Sequence, residues 1–251
     1  MFPIFKKIAQ LFKIALIRRK ANLFDFRLDT RLFGRNEFMC SNSTELFRTI
    51  EFGGEADALG AFLFLLNSDD VVWDIGASVG LFSIHASKRV RQVYAFEPEP
   101  RIFERLNQNI AINTKKNVLA HQMALSDKPG KLALHSDGVD SFSPSLFNLS
   151  RHKNSIEVAV STIDLMLAEG LKKPTVLKID IEGAEALALS GASKVLSGPD
   201  KPRVIFMEVH PDFLPNKKAD EQIILELLQK AGYKILSLNW RDAQYHIIAL
   251  S

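Results

Sequence analysis

The stretch VVWDIGASVGLFSIHAS, residues 71–87, constrains the fold of this chain more than any other part of its sequence. A short run rich in β-branched and aromatic residues ends at Asp74, turns through Gly76 and Gly80, and continues into an amphipathic run. An apolar run of this length, followed by glycines and then by a helical pattern, indicates a buried strand that feeds a helix. The chain therefore contains at least one strand–turn–helix unit of an α/β fold.

The same alternation of strand-like and helical segments continues after this unit. It predicts a doubly wound, Rossmann-like α/β sheet that is mostly parallel. The predicted strands of this alternation are residues 71–75, 92–96, 118–122, 175–179 and 203–207. The predicted helices are residues 56–66, 81–88, 101–112, 162–168, 184–189 and 219–230.

Two further pairs of strands complete the predicted fold. Residues 131–135 and 156–160 predict a hairpin, and the polar loop between them, residues 136–155, is rich in Ser and Asn. A loop of this length in a compact domain is usually functional or mobile, and we expect it to shape a binding pocket. Residues 233–238 and 245–250 predict a closing pair, so the last strand is expected to run antiparallel at or near an edge of the sheet.

The N-terminal part of the chain precedes this alternation. We expect residues 1–54 to form an amphipathic helix and a cap region, and residues 55–251 to form the α/β domain. Apolar side chains recur at helical spacing in residues 2–16, with lysines and arginines between and after them. This run is too interrupted to span a bilayer, and it lacks the small-residue cleavage site of a signal peptide. Such a basic helix either covers an edge of the domain or lies on an anionic membrane surface.

Composition limits the compartment and the partners. The single cysteine, Cys40, excludes an internal disulfide and favours a reducing compartment. We therefore expect a cytoplasmic protein, with peripheral contact at the inner membrane surface left open. The net charge of +3 is spread along the chain, so no nucleic-acid partner is expected. The sequence leaves the oligomeric state open.

The glycine turn indicates what the sheet binds, because a doubly wound sheet holds its ligand beyond the carboxyl ends of its strands. Its spacing is G-x-x-x-G instead of the G-x-G-x-x-G of a pyrophosphate cradle, so a dinucleotide oxidoreductase fits poorly. Asp74 would repel a phosphate and suits a ligand that is cationic or carries an amine. Glu97 ends the second strand about 20 residues beyond the turn, where an acid accepts hydrogen bonds from ribose hydroxyls, and Pro98 stops the strand.

In this order, the glycine turn and the second-strand acid resemble the S-adenosylmethionine site of class I methyltransferases. Further motifs look like those of the FkbM family of methyltransferases. They are GGEADALGAF at 53–62, HQMALSD at 121–127, VSTIDLML at 160–167, VLKIDIEGAE at 176–185 and IFMEVHP at 205–211. The resemblance covers about residues 51–211.

The resemblance implies an S-adenosylmethionine-dependent O-methyltransferase that acts on a hydroxyl of a sugar, a polysaccharide precursor or a related metabolite. The residues expected to bind the cofactor are Asp74, Gly76, Ala77, Ser78, Gly80, Glu97, Pro98, Ala124, Leu125 and Asp180. Among them, Ala124 and Leu125 are expected to border the adenine. Ser78 departs from the family pattern, since many members carry Asn there, and we expect the change to tune the contact with the cofactor.

Methyl transfer to a hydroxyl benefits from a base that takes the hydroxyl proton, and polar residues after the fourth and fifth strands are candidates. We expect Asp180 or His210 to be this base and Glu182 to orient substrate or cofactor. Alternatively, Asp180, Glu182 and Glu208 hold a divalent cation, because hard cations take carboxylate oxygens; the favoured interpretation has no metal. The other histidines lack ligand-like spacing and are expected to be ordinary core or surface residues. They are His85, His121, His135, His152 and His246.

Two other classes of function stay open at this point. One is N-methylation of DNA, protein or a small molecule, although amino-group methylases often carry an Asn/Asp-Pro-Pro-aromatic turn after the fourth strand, where this chain reads DIEG. The other is a module that binds the cofactor without catalysis. Arg151, His152 and Lys153, in the loop of the predicted hairpin, either meet an anionic acceptor or are simply solvated.

Overall fold

The computed structural model describes most of the chain. The described residues are 26–30, 33–42, 45, 49, 54–136, 144–147, 154–214, 217–238 and 245–251. The amphipathic helix predicted near the N-terminus lies outside them, as do Arg151, His152 and Lys153 of the hairpin loop. Within these ranges, no helix combines the length and apolarity needed to cross a bilayer.

Strands and helices alternate along most of the described chain. The strands are β1 (Phe26–Thr30), β2 (Asn36–Cys40), β3 (Val71–Ile75), β4 (Gln92–Phe96), β5 (Val118–His121), β6 (Ala124–Leu125), β7 (Gly130–Ser136), β8 (Asn154–Ser161), β9 (Val176–Ile179), β10 (Val204–Val209), β11 (Lys234–Leu238) and β12 (Tyr245–Leu250). The helices are α1 (Gly54–Phe64), α2 (Leu81–Ala86), α3 (Pro100–Ile112), α4 (Ile163–Ala168), α5 (Glu185–Ser190), α6 (Ser193–Ser197) and α7 (Lys217–Lys230), with a 3₁₀ turn at Pro211–Phe213.

Seven strands form the central sheet in the order β11-β12-β10-β9-β3-β4-β5. The strands from β10 to β5 are parallel, whereas β12 is antiparallel to both of its neighbours, β10 and β11. This confirms the predicted doubly wound, mostly parallel sheet with an antiparallel last strand, which lies second from the edge. The chain order reverses between β3 and β9, and a doubly wound sheet binds its ligand at such a switch point.

The central strands are buried on both faces, which explains why they appear in the sequence as continuous apolar runs. On one face, Trp73 and Leu177 pack with side chains of α4, α5, α6 and α7. On the other face, Val72 and Phe206 pack with side chains of α1 and α2 and with Phe38 of β2. The sheet is therefore packed between two helical layers, with one apolar core on each face, and this packing fixes the positions of its carboxyl ends.

The hairpin predicted after the third strand of the sheet is present as β7 and β8, which pair antiparallel. The sequence did not predict β6, a two-residue strand that pairs in parallel with β8 and completes a separate three-stranded sheet. In the hairpin loop, Ser145 forms a bridge with His135 through two backbone hydrogen bonds of 2.8 and 2.9 Å. The described part of this loop is therefore folded back on the hairpin.

The predicted cap region contributes an antiparallel pair of strands, β1 and β2. Asn109 of α3 uses both ends of its buried amide: its Oδ1 accepts from the Met39 backbone N–H at 2.7 Å, and its Nδ2 donates to the Val79 carbonyl at 2.9 Å. Asn113, one turn later, bonds both backbone groups of Glu37. One helix therefore ties β2 to the glycine turn, and the domain boundary between residues 54 and 55 stays a prediction.

Replacing Asn109 with Ala should destabilise the protein, because a buried N–H of Met39 and a carbonyl of Val79 would each lose their partner. Each such loss costs about 1–3 kcal/mol. The measurement is the free energy of unfolding in urea. The matched control is Asn107→Ala on the same helix, where the side chain is exposed and bonds only the Phe103 carbonyl. Equal losses of stability in the two variants would contradict the bridging role.

Candidate active site

The turn after β3 is shaped by close contact with the turn after β9. Gly76 has φ +80°, and a Cβ at this position would lie 1.9 Å from the backbone oxygen of Asp180. The N–H groups of Gly76 and Ala77 both donate to the Phe96 carbonyl, at 3.0 and 2.9 Å. Gly80 has φ +96°, and its Cβ would lie 2.8 Å from Leu106 Cδ1. Internal packing therefore explains why both positions hold glycine, whether or not a ligand is bound.

Ser78 lies at the centre of this turn in the left-handed region, with φ +51°. Its backbone N–H donates to Glu97 Oε2 at 3.0 Å. Its hydroxyl is buried and has no hydrogen-bond partner among the residues that the structure describes. Asn is among the few residues that visit this conformation readily, and Ser is not one of them.

Glu97 directly follows the carboxyl end of β4 and lies beside the glycine turn. Its side chain is buried, and its two oxygens accept from the backbone N–H groups of Ser78 and of Glu99, the latter at 2.9 Å. Half-buried Pro98 follows at the strand end. The Glu97 carboxylate is therefore held in place by backbone N–H groups from the glycine turn and from its own strand end.

Asp74 is in a different environment from the one expected. Its carboxylate has no exposed surface; it accepts from the Ser83 hydroxyl at 2.6 Å and lies 3.1 Å from the Lys178 ammonium. The prediction that Asp74 meets the cationic end of a ligand is therefore wrong for direct contact. The acid is already paired inside the protein.

Lys178 is a buried charged residue at this site that was not among the predicted site residues. Its ammonium, only 4% exposed, donates to the Gly76 carbonyl at 2.9 Å and lies 3.4 Å from Asp180 Oδ2, in addition to the Asp74 contact. Burial alone would lower the pKa of Lys178, but the two aspartates outweigh burial and raise it. A lysine inside the apolar strand VLKI was the available signal, because a buried charge needs a partner.

His210 lies at the end of β10 among three carboxylates and is 2% exposed. Its Nδ1 is 2.9 Å from Glu185 Oε1, and its Nε2 is 3.4 Å from Glu182 Oε2 and 3.7 Å from Asp180 Oδ1. Burial would lower the pKa of His210, but these three carboxylates raise it to about 10. The three carboxylates therefore favour the protonated form of His210 at neutral pH, which makes Asp180 the better candidate of the two for the base; that role stays a prediction.

Asp180 is the more open acid of this cluster, with a side chain 27% exposed; that of Glu182 is 20% exposed. Burial would raise the pKa of Asp180, but the charges of Lys178, His210 and His246 together lower it. Asp180 is therefore an ionised carboxylate that lies between the two cations Lys178 and His210 and is partly exposed to solvent.

Glu182 has a backbone in the left-handed region, with φ +54°. Its carbonyl accepts from the Ser145 hydroxyl at 2.7 Å, so the loop of the hairpin contacts the turn after β9. This contact supports the expectation that the hairpin loop borders a pocket on this side of the site.

Glu208 does not join the carboxylates of the β9 turn. It faces His246 across β10 and β12, with 3.5 Å between Oε2 and Nε2, and both side chains are buried. The group in the described chain whose ligand atoms lie within 4.8 Å of one another is Asp180, Glu182 and His210. Glu208 therefore lies outside the cluster to which the cation alternative assigned it. His246, which was expected to be an ordinary core or surface residue, is the buried neighbour of Glu208.

The expected adenine wall is also partly corrected. Leu125 is 1% exposed and belongs to the core beneath the sheet, together with Trp73 and Ile163. Its side chain therefore cannot line an open cleft. Ala124 is buried at the start of β6, which leaves only its backbone and methyl group near this edge.

Comparison with known proteins agrees with this architecture. The model of the methyltransferase FkbM domain matches residues 74–235. The chain belongs to the FkbM methyltransferase family. It is an S-adenosylmethionine-dependent methyltransferase with the class I fold.

Two relatives in sequence are methyltransferases with named substrates. The hexuronic acid methyltransferase AglP of Haloferax volcanii is 29% identical over 218 residues, covering 84% of this chain and 83% of AglP. The 31-O-demethyl-FK506 methyltransferase FkbM of Streptomyces tacrolimicus is 28% identical over 179 residues, covering 58% of this chain and 67% of that protein. The crystal structure of methyltransferase FkbM from Methylobacillus flagellatus matches with a TM-score of 0.52 at 17% identity, over 74% of this chain and 45% of that chain.

The residues at the switch point fit the cofactor of an FkbM methyltransferase. The carboxylate of Glu97 is of the kind that accepts from ribose hydroxyls, and the buried hydroxyl of Ser78 lacks a partner among the described residues. Both lie on the β3–β4 side, whereas Asp180 and His210 lie on the β9–β10 side. The fold therefore separates the half that is expected to hold the nucleoside from a half rich in charged groups.

The proton on His210 should make stability depend on pH. Its folded-state pKa lies above the ordinary value of 6.5, so its charge interactions stabilise the fold fully below pH 6.5 and are lost as pH rises through about 10. We expect the difference in unfolding free energy between wild type and His210→Gln to shrink over this range. Chemical denaturation of both proteins at several pH values measures it. Titrating groups that do not interact with His210 cancel in the difference, and a constant difference would contradict the assignment.

Proposed function

We propose that this protein methylates a hydroxyl oxygen of a sugar or a related metabolite, with hexuronic acids as the first class of acceptor. The similarity to AglP, which extends over most of both chains, supports the acceptor class. The observation that carries the proposal is the ionised and partly exposed carboxylate of Asp180 beside the glycine turn. A hydroxyl must lose its proton when it is methylated, and Asp180 can accept it.

The cofactor is proposed to be held by Glu97 through its ribose and by Ser78 and the backbone of residues 76–80, with Pro98 at the rim. When bound, S-adenosylmethionine supplies a methyl group that is already activated on a sulfonium sulfur. The protein then has to align the acceptor oxygen, and good alignment is worth about 7–11 kcal/mol.

Asp180 is proposed to accept the hydroxyl proton as the acceptor oxygen gains its methyl group. A positioned base contributes typically about 10²–10⁴-fold to such a step. His210, held in its protonated form by Glu185, would orient Asp180 and Glu182, and Glu182 would hold a second hydroxyl of the acceptor. N-methylation has less support, because the turn after β9 reads DIEG and lacks the Asn/Asp-Pro-Pro-aromatic motif that amino-group methylases often carry.

Replacing Asp180 with Asn should abolish most turnover while leaving cofactor binding nearly unchanged, because the amide keeps the shape and cannot accept the proton as a base. We expect the rate to fall by about 10²–10⁴-fold. Transfer of labelled methyl groups to glucuronic acid, galacturonic acid, glucose and glucosamine measures the reaction. Asp200→Asn, at an exposed position far along the chain, is the control. Product methylated on the nitrogen of glucosamine, with no O-methylated product, would contradict the proposal.

Replacing Glu97 with Gln should weaken cofactor binding, since the amide has one acceptor oxygen where the carboxylate has two. Hydrogen bonds to charged groups are worth about 1.5–3 kcal/mol, so we expect the dissociation constant to rise by about tenfold or more. Isothermal titration calorimetry with S-adenosylmethionine measures it. Glu104→Gln, on the exposed side of α3, is the control. Wild-type affinity in a folded Glu97→Gln protein would remove Glu97 from the cofactor site.

A further inference from the structure

The side chain of Lys178 lies where the two halves of the site meet. Asp74 and Lys178 are register partners on the parallel strands β3 and β9, so their side chains lie on the same face of the sheet. Asp180, two residues further along the chain, continues that face beyond the strand end. Lys178 therefore stands between the glycine turn and the proposed proton acceptor.

An ammonium has three N–H donors, and Lys178 has three oxygens around it. They are Asp74 Oδ1 at 3.1 Å, the Gly76 carbonyl at 2.9 Å and Asp180 Oδ2 at 3.4 Å. The ring of Phe82 covers the ammonium from another side, with 5.0 Å to its centroid. These groups enclose the ammonium and the side chain is 4% exposed, so Lys178 cannot itself reach an acceptor molecule.

These contacts belong to a row of alternating polar groups that is open to solvent mainly at its middle. The row runs from Ser83 through Asp74, Lys178, Asp180 and His210 to Glu185. Ser83, Asp74 and Glu185 have no exposed surface, whereas the side chain of Asp180 is 27% exposed. Asp180 is therefore a reachable carboxylate whose position is set from both buried ends.

We propose that Lys178 is a positioning residue for methyl transfer: it binds the glycine turn and Asp180 at once and keeps the Asp180 carboxylate ionised and oriented toward the acceptor. This deepens the proposed function and rests on the role given there to Asp180. Asp74 is the permanent counterion that holds the lysine in place, which is a different role from the direct cofactor contact expected of it.

The groups that face Asp180 come from several elements, and each affects its titration. Lys178 of β9, His210 after β10 and His246 of β12 favour the ionised form, whereas Glu182 of the same turn opposes it through like charge. A change at Lys178 alone leaves the other three in place. Any shift that follows the change is therefore attributable to the lysine.

The test is the double variant Asp74→Asn with Lys178→Met. The single change Lys178→Met would leave Asp74 buried without a counterion, which is strongly destabilising. Removing both charges avoids this, and Asp74→Asn alone is the matched control. Thermal unfolding checks that both variants are folded.

In the double variant we expect the maximal rate of methyl transfer to fall by about tenfold or more, as for loss of alignment at a reacting group. The acceptor KM should change much less, and the acid limb of the pH–rate profile should move to higher pH. Asp74→Asn should keep that limb near its wild-type position, because Lys178 still faces Asp180. A folded double variant with the wild-type pH profile would overturn the proposal, since a merely structural role lowers the active fraction without moving the limb.

A second measurement tests the role of Lys178 independently of whether the protein methylates a hydroxyl. The carboxyl carbon of Asp180 can be titrated by NMR in the free protein, with Asp180→Asn to assign the signal. We expect a higher pKa for Asp180 in the double variant than in Asp74→Asn. Wild-type protein that methylates no hydroxyl would contradict the proposed function, whereas an unchanged Asp180 titration would contradict the role of Lys178.

Discussion

The close approach of two backbone turns is the constraint on which the rest of this structure depends. The turn after β3 and the turn after β9 come so near that any side chain at position 76 would overlap the Asp180 carbonyl. Because the two strands are neighbours in the sheet, this contact brings the glycine turn against a turn that carries acids. Methyl transfer needs donor and acceptor within van der Waals contact, and the packing of two turns provides such a junction before any ligand arrives.

The charged side chains buried at this junction need partners of opposite charge. Lys178 and His210 are buried cations, and the acids around them are Asp74, Asp180 and Glu185, with Glu182 at the rim. Taking such groups out of water is costly unless each has partners, and here each cation contacts at least two acids. The acids outnumber the cations, which is favourable for a ligand that brings positive charge. A sulfonium-bearing cofactor meets that condition.

Much of the architecture was predictable from the sequence, because buried parallel strands give apolar runs that pattern alone detects. β3, β4 and β12 have the predicted bounds, and the resemblance to the FkbM family is confirmed by the match over residues 74–235. The element missed most clearly is β6, since two residues carry no periodicity. β2 was missed because its sequence, NEFMC, shows no alternation of apolar and polar residues, whereas β1, FRLDT, does alternate and was missed because it is short.

The individual roles in the site were less predictable, because they depend on pairings between distant parts of the chain. Asp74 was located correctly at a strand end, but its partner Lys178 is 104 residues away and becomes its neighbour only through strand register. The proton on His210 depends on three carboxylates from the turn after β9 and the start of α5. Glu208 pairs with His246 because β12 lies beside β10, a placement that local pattern does not specify.

The amide of Asn109 has a consequence for where the folding unit begins. It joins the backbone of β2 to the backbone of the glycine turn, and β2 lies well before residue 74, where the match to the family begins. A protein shortened to the matched part would lose Phe38 from its core and leave half of this amide without a partner. We therefore expect residues 36–40 to fold together with the α/β domain instead of forming a separate unit.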